Sequence, residues 1–158
     1  MLRELTNLAI EADGRYATDA ELKFVRKYLA SVENRITTYR ELRELQDKII
    51  DRVQNEKKKD NGNGSKDPGS DGTEGLSDVC IRDMRAILRY SAAAMLVNDL
   101  EHLRDILLWY KTIVRSFAYN DFMDENYRLL EDIVNIYLPP EKAGLMTPVL
   151  QLDQTLLA

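Results

Sequence analysis

The sequence predicts an all-α chain, and three observations carry that prediction. Apolar residues recur at spacings of three and four along most of its length. Element boundaries fall at helix-specific signals, notably a capping box at Thr18–Glu21 and the proline pair Pro139–Pro140. Nowhere does a period of two persist next to hairpin turn chemistry.

The elements follow in order. Leu2, Leu5, Leu8 and Ile10 mark a short amphipathic helix over residues 2–12, broken at Gly14. Thr18 and Glu21 then have the spacing in which a threonine oxygen accepts from the amide three residues on while the glutamate reaches back. Leu22, Val25, Leu29, Val32 and Ile36 carry a helix from about 19 to the mid-thirties, and Tyr39, Leu42, Leu45, Ile49 and Val53 extend a stripe to about 57. The pattern leaves open whether this is one helix or two. Residues 58–76 hold five of the seven glycines together with Pro68, and the polar filling between them predicts a disordered glycine-rich loop. Ser77 is placed to cap a helix that runs to about 98, in which Ser91-Ala-Ala-Ala-Met95 is small enough for another helix to approach closely.

A further helix is expected over about 101–118, its inner face formed by Leu103, Ile106, Leu107, Tyr110, Ile113, Val114 and Phe117. Asn120 or Asp121 can cap the next, which turns Leu129, Leu130, Ile133, Ile136 and Tyr137 inward. Pro139 and Pro140 close it, Pro140 can open the last helix, and Pro148 is expected to kink or restart that helix.

At 158 residues the chain is long enough for one substantial core, so residues 1–158 are read as a single domain. A share of 44% apolar residues argues against a disordered protein. The net charge of -5 argues against nucleic-acid binding, which needs clustered cations to neutralise phosphates. The one basic block, Lys57-Lys58-Lys59, sits at a helix end, where it offsets the helix dipole. One cysteine excludes an intramolecular disulfide and leaves a zinc site without partner thiols. No apolar run reaches the roughly 18 residues of a membrane span, and the amino-terminal residues alternate charge with apolar side chains, so a soluble intracellular chain without membrane insertion is expected.

The chemistry concentrates at Cys80, Arg82 and Asp83. With Ser77 as cap, Cys80 lies in the first helical turn, where unpaired amides and the helix dipole favour a thiolate. Arg82 pushes the same way and Asp78 opposes it; Asp83 falls within one turn on the same face. A thiolate there is a nucleophile towards electrophilic carbon. The residue types equally allow a small buried hydrophobe with a solvated Arg-Asp step behind it.

The wider pattern resembles a known family. Cys80-Ile-Arg82-Asp83, Leu88-Arg89 and Asn98-Asp99 are similar to the phycobiliprotein motif Cys-x-Arg-Asp, Leu-Arg, Gly-Asp at the same offsets. Glu11-Ala-Asp13-Gly-Arg-Tyr16-Ala-Thr18, with Glu21 and Leu22, resembles the amino-terminal signature of that family, and the tract from Asn34 to Ile50 is also similar. The resemblance covers about 3–57 and 77–99 and departs elsewhere: Val79 stands where several members are basic, Asn98 replaces a glycine, the Gly-x-Arg-Glu-x-x-Tyr stretch is absent, and the glycine-rich segment replaces the loop before the cysteine.

The resemblance implies a divergent member with a globin-like helical bundle and an N-terminal helical pair that interlocks with a phycobiliprotein subunit or a second copy. It implies light harvesting by a bilin of the phycocyanobilin type, joined to Cys80 as a thioether. Arg82 would face the propionates, and Asp83 would accept from the pyrrole N–H groups by charge-assisted hydrogen bonds. It implies a partner interface in which the Asp13 and Tyr16 region meets the Arg89 region of the neighbour. The expected place is the cytoplasm, in a phycobilisome on the cytoplasmic face of the thylakoid membrane, and the expected role is not enzymatic. The alternative is a bilin-free relative that binds a phycobilisome subunit through the same helices; an enzyme that handles bilins is a third reading.

Among the other candidates, His102 beside Glu101 is read as a surface or capping residue over a haem ligand, and Trp109 with Tyr110 as core packing over pigment stacking. Glu125, Glu131 and Asp132 are read as solvated surface.

Overall fold

The computed structural model describes residues 1–61, 78–115 and 120–157. Six α-helices lie among these residues and no strand: α1 (Leu2–Glu11), α2 (Lys23–Asn61), α3 (Asp78–Val97), α4 (Leu100–Arg115), α5 (Asn120–Tyr137) and α6 (Pro140–Leu157). The expected fold class and element order both hold.

The capping box forms as its spacing predicts. The Thr18 backbone N–H donates to Glu21 Oε2 at 2.7 Å, and the Glu21 N–H donates to Thr18 Oγ1 at 3.3 Å. Arg15 also donates to both Glu21 oxygens, and with the Thr18 donors it holds this carboxyl down to about 2. Gly14 supplies the left-handed backbone (φ 77) that turns the chain between α1 and α2.

The two apolar stripes of α2 belong to one unbroken helix of 39 residues. It passes through residues 58–61, which corrects the expected loop boundary at 58; residues 62–76 and Ser77, with its expected cap, lie outside the described residues. The helix persists because lysine is a good helix former and because Lys57 is pinned. Its ammonium is buried and pairs with Glu125 of α5, while Lys58 and Lys59 remain at the dipole end. Only those two match the surface reading of the basic run, and Glu125 is an interhelical partner as well as a surface acid.

The core is built by the second half of α2 and by α3 to α6. Leu42, Ile49, Ile50 and Val53 meet Ile87, Leu88, Met95, Leu103, Leu107, Leu130, Val134, Met146 and Leu150 in one cluster. α6 packs on α3, α4 and α5, and α2 packs on α3 and α5. The small-residue segment of α3 admits α6 closely enough for Ser91 Oγ to donate to Asp153 Oδ2 at 2.6 Å. On α5 the inward positions are Tyr127, Leu130, Ile133 and Val134, with Leu138 buried just past its end; the expected Ile136 is 71% exposed, since it lies on the opposite side of the helix from Val134. Asn120 begins α5 as its first helical residue, so neither Asn120 nor Asp121 stands before the helix as a cap. α6 does not restart at Pro148; it runs through that residue, which is exposed, as is Gly144, whose carbonyl loses its helical donor there. The side chain of Val114 and residue Phe117 lie outside the described residues.

The turn between α3 and α4 explains the Asn98-Asp99 pair. Asn98 takes φ 51, the left-handed conformation for which asparagine is the best substitute for glycine. Asp99 Oδ1 accepts from the His102 amide at 3.2 Å and caps α4. Arg35 of α2 closes the end of α3 from the side, donating to the Met95 carbonyl and to Asn98 Oδ1.

Candidate functional site

Asp78 opens α3, so Cys80 sits in its first turn, on the side that packs against the core, and is partly buried. The following residues diverge by their helical phase. Ile81 and Met84 turn into the core, Arg82 turns out with 74% of its side chain exposed, and Asp83 lies between. Arg82 nevertheless folds back, and its Nε donates to Asp83 Oδ1 at 3.2 Å. The cation and the anion therefore pair within the helical turn that follows the thiol.

Asp83 has a second donor from α4: the Tyr110 hydroxyl meets Oδ2 at 3.0 Å. Tyr110 in turn accepts a hydrogen bond from Tyr127 of α5, which is almost fully buried. Burial first, then the negative charge of Asp83 and the bond to it, push the Tyr110 phenol well above its ordinary range; burial does the same to Tyr127. Both phenols stay protonated as donors, and the line Tyr127, Tyr110, Asp83 has one direction. Cys80 lies close enough to contribute to the electrostatics of both tyrosines.

The sequence reading found three members of this cluster and missed two. The core-packing reading of Tyr110 uses its ring alone, and nothing in the spacing singles out Tyr127. The available signal was the hydroxyl: a buried tyrosine needs a hydrogen-bond partner, and Asp83 is a carboxylate on the half-buried side of α3. Trp109 is a correction in the other direction. It is 65% exposed, because Leu103, Leu107 and Tyr110 already fill the inward phase of α4. His102 is exposed in the first turn of α4, in keeping with the surface reading.

The expected interface residues lie on two separate surfaces. Asp13 and Tyr16 occupy the turn between α1 and α2, and Tyr16 is 99% exposed, so it cannot pack on Arg89 of its own chain. Arg89 projects from α3 over a groove of about 240 Å³ that it shares with Tyr39, Leu42, Arg43, Gln46, Leu88 and Ala92.

A family model described as phycobilisome protein matches residues 8–151, which takes in the turn with Tyr16, all of α3 and the elements that carry Tyr110 and Tyr127. The chain belongs to the phycobilisome protein family. The six helices among the described residues are consistent with the all-α, globin-like fold of phycobiliproteins, and membership supports a light-harvesting role at the phycobilisome of the thylakoid surface. Phycobiliproteins are structural light-harvesting proteins, not enzymes; they generally carry covalent bilins and assemble into oligomers. No curated protein matches the chain significantly. Among the described residues, no helix is long and apolar enough to cross a membrane.

Proposed function

We propose that this chain is a light-harvesting phycobiliprotein subunit that carries a linear tetrapyrrole as a thioether on Cys80, with Arg82 and Asp83 as its polar ligands. The observation that supports this reading is the Arg82–Asp83 pair one turn on from a partly buried thiol in the first turn of α3.

The donor set fits such a pigment. A carboxylate has about four acceptor positions, and Arg82 and Tyr110 use two of those on Asp83, which leaves room for pyrrole N–H donors. Arg82 spends one N–H on Asp83 and keeps the rest of its exposed guanidinium for carboxylates such as propionates. The Cys80 thiol adds across an exocyclic carbon–carbon double bond: the sulfur–carbon bond forms, the thiol hydrogen ends on the neighbouring carbon, and nothing is oxidised or reduced. When bound, the pigment supplies the visible absorption, and the chain holds it rigid and polarises it.

Residues 1–158 act as one domain in this reading, on the cytoplasmic face of the thylakoid. Assembly joins the turn carrying Asp13 and Tyr16 to the groove beside Arg43 and Arg89 on another subunit or a second copy. The charges are complementary, and neither arginine has an acidic partner among the described residues of its own chain.

A second reading is favoured by Tyr110, which already satisfies one Asp83 oxygen without any pigment. In it the chain is a bilin-free interaction protein that docks on a phycobilisome subunit through α1 and the start of α2. Co-expression with a bilin source and a lyase separates the two. The expected product is coloured and fluoresces under zinc on a denaturing gel, and Cys80→Ala abolishes this. A colourless product indistinguishable from Cys80→Ala would remove the pigment reading.

A further inference from the structure

The geometry points to Tyr110, anchored by Tyr127, as a positioning residue that fixes the Asp83 carboxylate and thereby sets the rigidity of the pigment held there. The inference rests on the pigment reading above and goes beyond it to two residues on two further helices. Arg82 alone would hold Asp83 poorly. It is a neighbour in sequence, it is exposed, and residues one apart on a helix do not naturally face each other. Tyr110 is different in kind: its ring is part of the α4 packing against the core, and its hydroxyl reaches Asp83 at 3.0 Å from a second helix.

Tyr127 removes the remaining freedom. It is 3% exposed within the core and donates to the Tyr110 oxygen, so the Tyr110 hydrogen is directed to Asp83. Three helices, α3, α4 and α5, are thus joined at one carboxylate. A carboxylate fixed in this way offers its remaining lone pairs in one orientation, which is what a conjugated ring system needs to stay planar and emissive. Exposed Trp109, next to Tyr110 in sequence, has no such tie.

The test uses the pigment-loaded chain and the pigment-free chain. Fluorescence yield per bound bilin should fall several-fold in Tyr110→Phe and by less in Tyr127→Phe, with both variants melting near the parent temperature. Because Tyr110 acts through Asp83, Asp83→Ala with Tyr110→Phe should be no dimmer per bilin than Asp83→Ala alone. Unchanged yields, or losses that add in the double variant, would overturn the inference. In the pigment-free chain, alkaline titration of tyrosine absorbance should find Tyr110 ionising above the ordinary range, and earlier once Asp83 is alanine. Ordinary ionisation of Tyr110 in the parent chain would overturn the Tyr110–Asp83 link. A parent chain that binds no bilin would defeat the pigment reading instead, and the titration would still decide the link.

Discussion

The amino-terminal arm and the carboxy-terminal bundle are both amphipathic, yet they treat their apolar faces in opposite ways. In the bundle, Val53, Leu107, Leu130 and Met146 are sealed from solvent. In the arm, which is α1 and the first half of α2, no residue before Thr38 is buried, and Ile10 and Leu29 stand 70% and 60% exposed. What ties α1 down is largely polar: Arg3 reaches Glu101 at 2.7 Å and Asp105 at 2.8 Å on α4. Exposed pairs of this kind contribute roughly 0–1 kcal/mol each. The contrast teaches that helical periodicity marks a face meant for burial without saying whose surface buries it. Here the bundle supplies its own cover, and the arm keeps its apolar residues exposed.

The largest expected effect sharpens this contrast directly. Leu107→Ala should destabilise the chain by about 2–5 kcal/mol in urea unfolding, whereas Leu29→Ala should lie within about 0.5 kcal/mol of the parent. Equal costs would place the arm inside the folding unit and break the comparison.

Next comes pH. Asp153 is buried between α6 and Ser91 of α3, one of its oxygens has no partner, and burial pushes its carboxyl up to about 8 although the Ser91 bond opposes this. Tyr127 is the ionisable neighbour that feels its charge. The folded state then holds a proton that the unfolded state releases near the usual carboxylate range. Stability is therefore greatest below about pH 4 on this group's account and falls as pH rises towards about 8, by an amount on the order of a few kcal/mol. Asp153→Asn should flatten that slope between about pH 5 and 8. A parent slope that survives the substitution would contradict it. At the hinge of the arm, Thr18→Ala removes the capping oxygen and should cost about 1 kcal/mol, read from the same unfolding curves. Tyr16→Ala should leave those curves unchanged and instead abolish capture of the chain's partner from a phycobilisome-containing lysate; retained capture would move the interface elsewhere.

Most of the fold was legible because period and capping are local. No glycine or proline interrupts residues 21–61, so one continuous α2 was available to the sequence, although the cover over each half was not. Five successive apolar residues from Ile106 to Tyr110 cannot all face one way, and only the packed structure assigns Trp109 to solvent and Tyr110 to Asp83. The nearness of Cys80, Arg82 and Asp83 was readable from their spacing within one helix, while their reading as a pigment site rests on the family resemblance. Tyr127 and Asp153 were not, because their roles arise only where α5 and α6 meet α3 and α4, contacts between residues far apart in the chain. Asn98 shows the converse: a departure from the family glycine keeps the left-handed turn that the glycine would serve.

The claim on which the functional account depends is that Cys80 carries a pigment. Peptide mass analysis of the chain purified from its native cells tests it most directly. The account predicts that the peptide containing Cys80 bears the added mass of one linear tetrapyrrole and absorbs visible light, and that Cys80→Ala loses both. An unmodified Cys80 peptide from fully assembled protein would contradict it.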